Sequence, residues 1–405
     1  MVLSFRNLFR HRKRSMMAFS AVAFGVVALL LAGGFIEWSY VAARQAAIES
    51  RLGHIQITRP GYFERGFAEP FAYLMPEHNS EIDFVRGLPD VQMVTPRLAF
   101  GGLISYADHT ISFLGAGVVP KKEARVSRQL VILHGNQLAS LDDNGVILAE
   151  GLAANLGADV GNRVVLLATK PSGGINAVEV TVRGVFQTAS KSFDNYALRV
   201  PLPLAQRLLN VSGVHSWVVL LNDTGQTDKV LRRLRSKLSH DSSGQIEFTP
   251  WYKLADFYNK TVALFSRQMN VLRAMIAIIV VLSVSNTMIA NVFDRTGEIG
   301  TLLALGYRRR RIVGLFLSEG LLLGVWGGVL GIVIGWVAAQ VISAIGIPMP
   351  PSPGMAFGFD AGILLTPMLA LGSFLLIVVT TITASLYPSW RASRLAIVDA
   401  LRHNY

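Results

Sequence analysis

The chain of 405 residues contains no cysteine. Disulfide bonds and thiolate metal sites are therefore excluded. Charged residues are also scarce, at 16%, whereas 51% of the residues are hydrophobic and the mean hydropathy is +0.43. An average soluble domain has about 25% charged residues. The composition therefore indicates a membrane protein.

Short motifs for common catalytic chemistry are missing as well. No phosphate-binding loop G-x-x-x-x-G-K-[ST] occurs, and the nearest string, residues 184–192, has Ala189 in place of the second glycine. Neither the zinc motif H-E-x-x-H nor the nucleophile motif G-x-S-x-G is present, and the eight histidines are scattered. We therefore expect a non-catalytic chain that binds no metal or cofactor.

Long apolar runs dominate what is present. Four of them are long enough to cross about 30 Å of hydrocarbon at about 1.5 Å per residue. We place the first transmembrane helix with a helical extension at 16–43, and the others at 269–293, 312–345 and 363–387.

The basic residues predict how these runs are oriented. The formal net charge is +12, but residues 44–267 carry 24 Lys/Arg against 20 Asp/Glu. The rest of the chain holds 14 Lys/Arg, nearly all of them beside apolar runs on one side. This is the positive-inside pattern, so it does not indicate nucleic-acid binding. It places both termini and residues 294–311 in the cytoplasm, and residues 44–268 and the loop 346–362 on the other side of the membrane.

Residues 44–268 have the composition of a folded α+β domain. Short strand-like pieces, for example 54–58, 163–168, 179–186 and 216–221, alternate with turns and helix-like pieces, which predicts several small sheets. The fold class is thus a membrane protein with four transmembrane helices and a large extracytoplasmic α+β domain between helices 1 and 2. Residues 1–15 fit either a helix at the membrane surface or an orientation signal, and 388–405 form a basic tail.

Small and polar residues inside the apolar runs are candidates for packing or function. The third run has glycines at four-residue spacing, which lets helix backbones approach closely: Gly320, Gly324 and Gly328 form one series, and Gly327, Gly331 and Gly335 another. The second run has a polar face that includes Asn286, which either packs against a helix or lines a conduit. Glu319 in the third run either has a function or pairs with a neighbouring polar group or with Arg308–Arg311.

Three segments of the sequence carry a resemblance to a known family. Residues 297–312 (GEIGTLLALGYRRRRI), 318–324 (SEGLLLG) and 388–403 (PSWRASRLAIVDALRH), with four spans around a large domain, resemble the FtsX-like permeases. These are the membrane subunits of type VII ABC transporters, which include lipoprotein-release (LolC/LolE-like) and macrolide-export (MacB-like) systems. Residues 52–62, 146–166 and 193–209 look more like the lipoprotein-release branch.

The resemblance implies a role for residues 294–311. They would form a coupling helix that docks into a cytoplasmic ABC ATPase dimer, with Arg308, Arg309, Arg310 and Arg311 anchored at the membrane lipid. The implied contacts are Glu298, Ile299, Leu302, Leu303, Leu305 and Gly306. ATP and Mg would be bound by that partner. A second permease copy or a paralogous permease would complete the transporter.

The implied activity is extraction or transport of a lipoprotein or another lipidic substrate by mechanotransmission. Phe35, Ile36 and Trp38 would then line a substrate cleft, and a periplasmic carrier is a possible further partner. Two alternatives stay open: MacB-like efflux of drugs or peptides, and FtsX-like regulation of an extracytoplasmic hydrolase.

Overall fold

The computed structural model describes residues 12–66, 68–77, 80–188, 190–238, 246–350 and 358–394. Most of the predicted membrane-surface helix 1–15 and of the tail 388–405 lies outside these residues. The chain divides into two compact units. We call Met1–Val41, Thr261–Pro348 and Asp360–Tyr405 the helical unit, and Ala42–Lys260 with Met349–Phe359 the mixed unit.

Helices are numbered here in chain order. They are α1 (Arg12–Ala47), α2 (Tyr62–Arg65), α3 (Ser80–Arg86), α4 (Pro120–Val126), α5 (Glu150–Leu156), α6 (Lys191–Asp194), α7 (Leu202–Leu209), α8 (Thr227–Leu238), α9 (Trp251–Leu254), α10 (Asp256–Asp294), α11 (Thr296–Ala304), α12 (Arg309–Ile345) and α13 (Pro367–Ser393). A π-helical turn, Ile48–Leu52, follows α1.

Ten strands of the mixed unit form a single sheet. They are β1 (Ile55–Thr58), β2 (Val91–Tyr106), β3 (His109–Val118), β4 (Val131–Gly135), β5 (Gly145–Ala149), β6 (Arg163–Thr169), β7 (Ile175–Gln187), β8 (Ala197–Pro201), β9 (Ser216–Leu221) and β10 (Glu247–Pro250). Their order is β10-β1-β9-β2-β3-β8-β5-β7-β4, and β6 pairs with both β2 and β7. Two further strands, β11 (Ile347–Met349) and β12 (Phe359–Ala361), pair with each other.

The single sheet corrects the prediction of several small sheets. The reason is the length of β2 and β7, which have 16 and 13 residues. Each of these strands pairs with three others, so they join strand groups that look separate in the sequence. The core beneath contains Trp217, Leu98 and Ile104, each no more than 1% exposed.

Four helices, α1, α10, α12 and α13, are long and apolar enough to cross a membrane. Helix α10 begins at Asp256, well before the predicted start at 269, because polar residues such as Asn259 and Lys260 extend the helix beyond its apolar part. Helix α13 ends at Ser393 rather than at 387 and contains Pro388. Pro367 lies in its first turn, where the missing proline N–H costs no hydrogen bond.

Pro388 leaves one carbonyl of α13 without its usual helical donor, because proline at position i cannot bond the carbonyl at i−4. The carbonyl concerned belongs to Ala384, and the Ser285 hydroxyl of α10 donates a hydrogen bond of 2.8 Å to it. One polar side chain of the second span therefore compensates for a proline in the fourth.

Candidate functional site

The segment between α10 and α12 has one face turned into the helical unit. Ile299 is 2% exposed and clusters with Val292, Ile312, Phe316 and Ala392, and Leu303 packs against the same cluster. Thr296 and Gly300 of α11 are also buried. Positions 296, 299, 300 and 303 share one side of a helix with 3.6 residues per turn. Their burial attaches α11 to the ends of the spans.

The opposite face of α11 carries most of the predicted coupling residues. Glu298 is exposed, Leu302 is half-buried, and Leu305 is 74% exposed just after the helix. Gly306 is exposed and has φ of 86°, a left-handed conformation that favours glycine at a helix end. Ile299 does not fit its predicted role as a surface contact, because it belongs to the buried face.

Arg295 connects this segment with the interior of α12. Its Nη1 donates to Glu319 Oε1 at 2.9 Å, and its Nε donates to Glu298 Oε2 at 3.1 Å. Glu319 is 3% exposed, and the Arg295 guanidinium also lies over the Phe316 ring. Among the described residues, the arginine that pairs with Glu319 is thus Arg295 and not one of Arg308–Arg311. A chain of ionic contacts runs from the exposed Glu298 to the buried Glu319.

Arg308, Arg309, Arg310 and Arg311 are all exposed at the start of α12. None of them forms an ion pair with a carboxylate of the residues that the structure describes. Four cations at a helix N-terminus oppose the helix dipole, which favours anions there. Their position is therefore most stable next to an external negative charge.

The two glycine series of α12 face different helices. A Cβ atom added to Gly320 would lie 1.9 Å from Ser385 Oγ, and one at Gly324 would lie 2.2 Å from Thr381 Oγ1, both on α13. Gly328 meets Phe374 of the same helix. The second series contacts α1: added Cβ atoms at Gly327, Gly331 and Gly335 would lie within 2.8 Å of Val22, Val26 and Leu30. Glycine thus allows α12 to pack closely on both sides.

Some polar side chains of α10 form hydrogen bonds with described residues, and Asn286 does not. The Thr287 hydroxyl donates to the Ser283 carbonyl, and Ser285 bonds α13 as described above. Asn286 is exposed and makes no hydrogen bond with any residue that the structure describes. Its carboxamide is therefore without a hydrogen bond within the described part of the chain.

The predicted substrate-cleft residues lie near the end of the first span. Trp38 lines a cavity of about 320 Å³ together with Ser343, Gly346 and residues 360–364. Ile36 packs against the core of the helical unit, and Phe35 is half-buried. Of the three, Trp38 therefore has the best access to a ligand.

A buried ion cluster in the mixed unit was not predicted from the sequence. Glu123 of α4 is 4% exposed and binds Arg97 of β2 at 2.6 Å and Arg199 of β8 at 3.2 Å. The Ser127 hydroxyl also lies within hydrogen-bond distance of Glu123. Arg97, Glu123 and Arg199 come from distant parts of the chain, and the pairing of β3 with β2 and β8 brings them together.

The cluster holds the π-helical turn that follows α1. Arg199 Nη2 donates to the Ser50 carbonyl at 3.1 Å, and Arg97 donates to the Arg51 carbonyl. Ser127 Oγ lies 3.0 Å from the same Ser50 carbonyl, so its single proton can go either to that carbonyl or to Glu123. Burial opposes ionisation of Glu123, but Arg97, Arg199 and the donated hydrogen bonds outweigh it and lower the pKa of Glu123 to about 2. The cluster is therefore fully charged at neutral pH.

Among the described residues, no group of three His, Cys, Asp or Glu side chains has the arrangement of a metal site. The described residues of this region form a helix with one buried face, ionic contacts that lead inward and closely packed spans.

Two family models match parts of this chain. Residues 270–397 match the family model of the FtsX-like permease C-terminal region, and residues 15–237 match that of the MacB-like periplasmic core domain. The chain is 25% identical over 346 residues to the lipoprotein-releasing system transmembrane protein LolC of Xylella fastidiosa, and the match covers 78% of each protein.

Two further similarities involve MacB proteins. The macrolide export ATP-binding/permease protein MacB of Escherichia coli O157:H7 is 30% identical over 255 residues, which cover 60% of this chain and 35% of that protein. The solved periplasmic region of MacB from Actinobacillus actinomycetemcomitans covers 53% of this chain and 95% of its own, with 14% identity and a TM-score of 0.38. Since one family model spans more than half of the chain and a second spans its C-terminal helices, the chain belongs to the FtsX-like permeases with a MacB-like periplasmic core domain, the permeases of LolC- and MacB-type ABC transporters.

Proposed function

We propose that this chain is one permease half of an inner-membrane ABC transporter that uses ATP hydrolysis by a separate ATPase to extract a lipoprotein from the membrane. The observation that carries this proposal is α11, whose buried face is fixed to the spans while Glu298 and Leu305 are exposed. A short helix of this kind suits a groove on another protein. The contacts of Arg295 with Glu298 and Glu319 would carry its displacement into α12.

The proposed orientation rests on the arginines. Arg308–Arg311 gain most next to anionic lipid headgroups, and basic residues beside spans favour the cytoplasmic side. α11 would then face the cytoplasm, where the ATPase dimer binds ATP and Mg, and the mixed unit would lie in the periplasm. A second permease half completes the assembly.

Lipoprotein is favoured as the substrate by the match to LolC, which covers 78% of both proteins. The match to the macrolide exporter covers 35% of that longer protein and supports macrolide or peptide export as a second candidate. Deletion of the gene separates the two: retention of lipoproteins in the inner membrane supports the first, and macrolide sensitivity with normal lipoprotein sorting supports the second.

The cavity at Trp38 provides a direct test of substrate contact. A photocrosslinking residue at Trp38 should capture a lipoprotein in intact cells, because this side chain lines the cavity. The same residue at Phe24, which is 74% exposed on the first span, serves as the control. Equal capture at both positions, or capture of phospholipid alone at Trp38, would argue against the lipoprotein assignment.

Coupling is tested by Leu305→Arg. Leu305 is 74% exposed, so the substitution should leave the fold intact and abolish stimulation of the partner ATPase. Ile345→Arg is the matched control, since Ile345 is 79% exposed at the opposite end of α12. Glu298→Arg would be less informative, because it also places a cation beside Arg295. Substrate-stimulated ATP hydrolysis that is equal in both variants would refute the docking assignment.

A further inference from the structure

A cavity of about 390 Å³ lies within the mixed unit, beside the end of α1 and the start of α10. Small-molecule sites usually measure about 300–1,000 Å³. Ala43, Ala46 and Ala47 of α1 line one wall, since residues three and four positions apart share one side of a helix. Phe193 and Phe257 line the cavity as well, and Phe257 is 57% exposed. The cavity therefore offers an apolar surface to a ligand.

Arg51 is the only basic residue among the described residues that line this cavity. Its guanidinium lies 5.0 Å from the centre of the Phe193 ring and forms neither an ion pair nor a hydrogen bond with another described residue. Contact with a ring leaves the N–H donors of a guanidinium unused. The main chain at Arg51 is held in place, because its carbonyl accepts from Arg97. The arginine is therefore positioned in advance for an external acceptor, which reduces the cost of binding.

The charges around Arg51 favour an anion at this position. Arg97 and Arg199 are buried nearby and bind Glu123, whereas Arg51 does not contact that carboxylate. Burial lowers the pKa of Arg199 to about 10, Glu123 opposes this effect, and the charges of Arg97 and Arg51 add to it. Arg51 is thus close to two like charges and has no carboxylate of its own. A negative group in the cavity would relieve this repulsion.

The cavity also contains a carboxylate and hydroxyl groups. Asp256, at the start of α10, is exposed and forms no ion pair with Arg51 or with another described residue. The hydroxyls of Ser190 and Ser192 are 3.1 Å apart, so one of their two protons joins them and the other is available to a ligand. Two opposite charges that do not neutralise each other thus share one cavity with an apolar wall. A molecule that carries both charges and an apolar part matches this combination.

We propose that the cavity binds a zwitterionic amphipath of the ethanolamine phospholipid class, with its phosphate at Arg51, its ammonium group at Asp256 and its apolar part against the alanines of α1. Phosphate has several acceptor oxygens, which suits the guanidinium fork and a serine hydroxyl together. The alanines belong to the same continuous helix as the first candidate span, which favours a lipid over a peptide as the ligand. The inference goes beyond the proposed function and does not depend on it.

Lysophosphatidylethanolamine is the probe for this site, because a single acyl chain keeps it soluble in detergent. The full-length chain is purified in a nonionic detergent and titrated with this lipid or with lysophosphatidylglycerol of the same chain length, and bound lipid is counted by native mass spectrometry. We expect about fivefold or more stronger binding of the ethanolamine lipid, since the glycerol headgroup has no ammonium group for Asp256. Phosphoethanolamine without an acyl chain and the peptide trialanine, added as competitors, should displace little of it.

Substitutions assign the two charges of the ligand. Arg51→Gln should weaken binding of the ethanolamine lipid by about tenfold, and Arg51→Lys, which keeps the charge, should weaken it less. Arg128→Gln, at an exposed arginine outside the cavity, should leave binding unchanged. Asp256→Asn should abolish the preference for ethanolamine over glycerol, whereas the control Asp142→Asn, also exposed and outside the cavity, should retain it. Unchanged thermal midpoints show that each variant is folded.

Equal binding of the two lipids by the wild type, equal effects of Arg51→Gln and Arg128→Gln, or a retained headgroup preference in Asp256→Asn would overturn the proposal. Displacement by phosphoethanolamine at the concentration of the lipid would assign the cavity to a soluble zwitterion, and displacement by trialanine would assign it to a peptide. Either result would overturn the phospholipid assignment. These measurements need neither ATPase nor lipoprotein, so their outcome is independent of the coupling test at Leu305.

Discussion

Glu123 in the mixed unit and Glu319 in the helical unit are both buried and both bind arginine, but their surroundings differ. The arginines of Glu123 are buried themselves and donate further to backbone carbonyls, so the network is closed. Arg295, the partner of Glu319, also binds Glu298, whose side chain is 47% exposed. That network is open and leads from the interior to the surface.

The difference separates two uses of a buried charge. A closed network fixes geometry, because each member is satisfied by groups that cannot leave. An open network allows a change at its exposed end to affect its buried end. The mixed unit is therefore held rigid around the turn after α1, whereas the helical unit has an ionic connection to the helix that we propose as the docking site.

The largest expected loss of stability comes from removing the carboxylate of Glu123 from its network with Arg97 and Arg199. Glu123→Ala leaves Arg97 and Arg199 buried without their carboxylate, which should lower the free energy of unfolding of the mixed unit by about 3–5 kcal/mol. Pulse proteolysis of the full chain measures it. Glu179→Ala is the control, since that side chain is 59% exposed and 4.0 Å from Arg163, and it should cost less than about 1 kcal/mol. Similar losses in the two variants would contradict the assignment of a closed network.

A second buried group should make the mixed unit sensitive to pH. Burial lowers the pKa of His54 to about 4, with smaller opposing and reinforcing effects of Asp223 and Arg44. His54 Nδ1 accepts from the Leu221 N–H and its Nε2 is bonded to Thr224 Oγ1, so protonation of Nδ1 breaks the first bond. The unfolded chain binds this proton near pH 6.5 and the folded chain near 4.

Stability should therefore fall as pH decreases from 6.5 to 4, by about 2 kcal/mol between pH 7 and pH 5. The Glu123 carboxylate adds a second loss only below its unfolded pKa of 4.5, as pH falls toward 2. Unfolding of the wild type and of His54→Gln, measured across this range, separates the two groups. Identical pH profiles between pH 7 and pH 5 would refute the role of His54.

In the helical unit, we expect stability to depend on the close packing of α12 against its neighbouring helices. Gly320→Ala puts a Cβ atom 1.9 Å from Ser385 Oγ and should destabilise the packing of α12 on α13 by about 1–3 kcal/mol. Gly372→Ala is the matched control on α13, where no heavy atom lies within 4 Å of the added Cβ. It should be neutral or stabilising by about 0.5–1 kcal/mol, because alanine is the better helix former. Thermal inactivation in detergent compares the two, and equal midpoints would contradict the packing argument.

The sequence predicts local features of this molecule well and distant pairings poorly. The apolar runs predict the four long helices. Strand-like composition and turn residues predict strands such as β9, whose observed bounds Ser216–Leu221 equal the predicted ones. The joining of all strands into one sheet depends on β2 and β7, whose partners are far away in the chain. The same holds for the cluster around Glu123, because no spacing relates positions 97, 123 and 199.

Within the candidate site, the sequence identifies the segment but not the direction of each side chain. Residues 294–311 form a polar stretch between two apolar runs, so the segment can be located from the sequence alone. The burial of Ile299 follows from which side of α11 meets the spans, and the pairing of Glu319 with Arg295 follows from the turn between α10 and α11. Both require the packed helices, which the sequence alone does not specify.

The smallest expected effect tests whether the ionic chain of the helical unit is continuous. Glu298→Gln alone should cost about 0–1 kcal/mol, because Glu298 is half-exposed and Arg295 retains Glu319. Combined with Glu319→Gln, it should deviate from additivity by about 0.5 kcal/mol or more, since both carboxylates share Arg295. Glu179→Gln with Glu319→Gln is the control pair and should be additive, as the ion pairs of the two within the described residues involve different arginines. Additivity of the first pair as well would mean that Arg295 does not transmit a change at Glu298 to Glu319, and the open network would then be two independent contacts on one arginine.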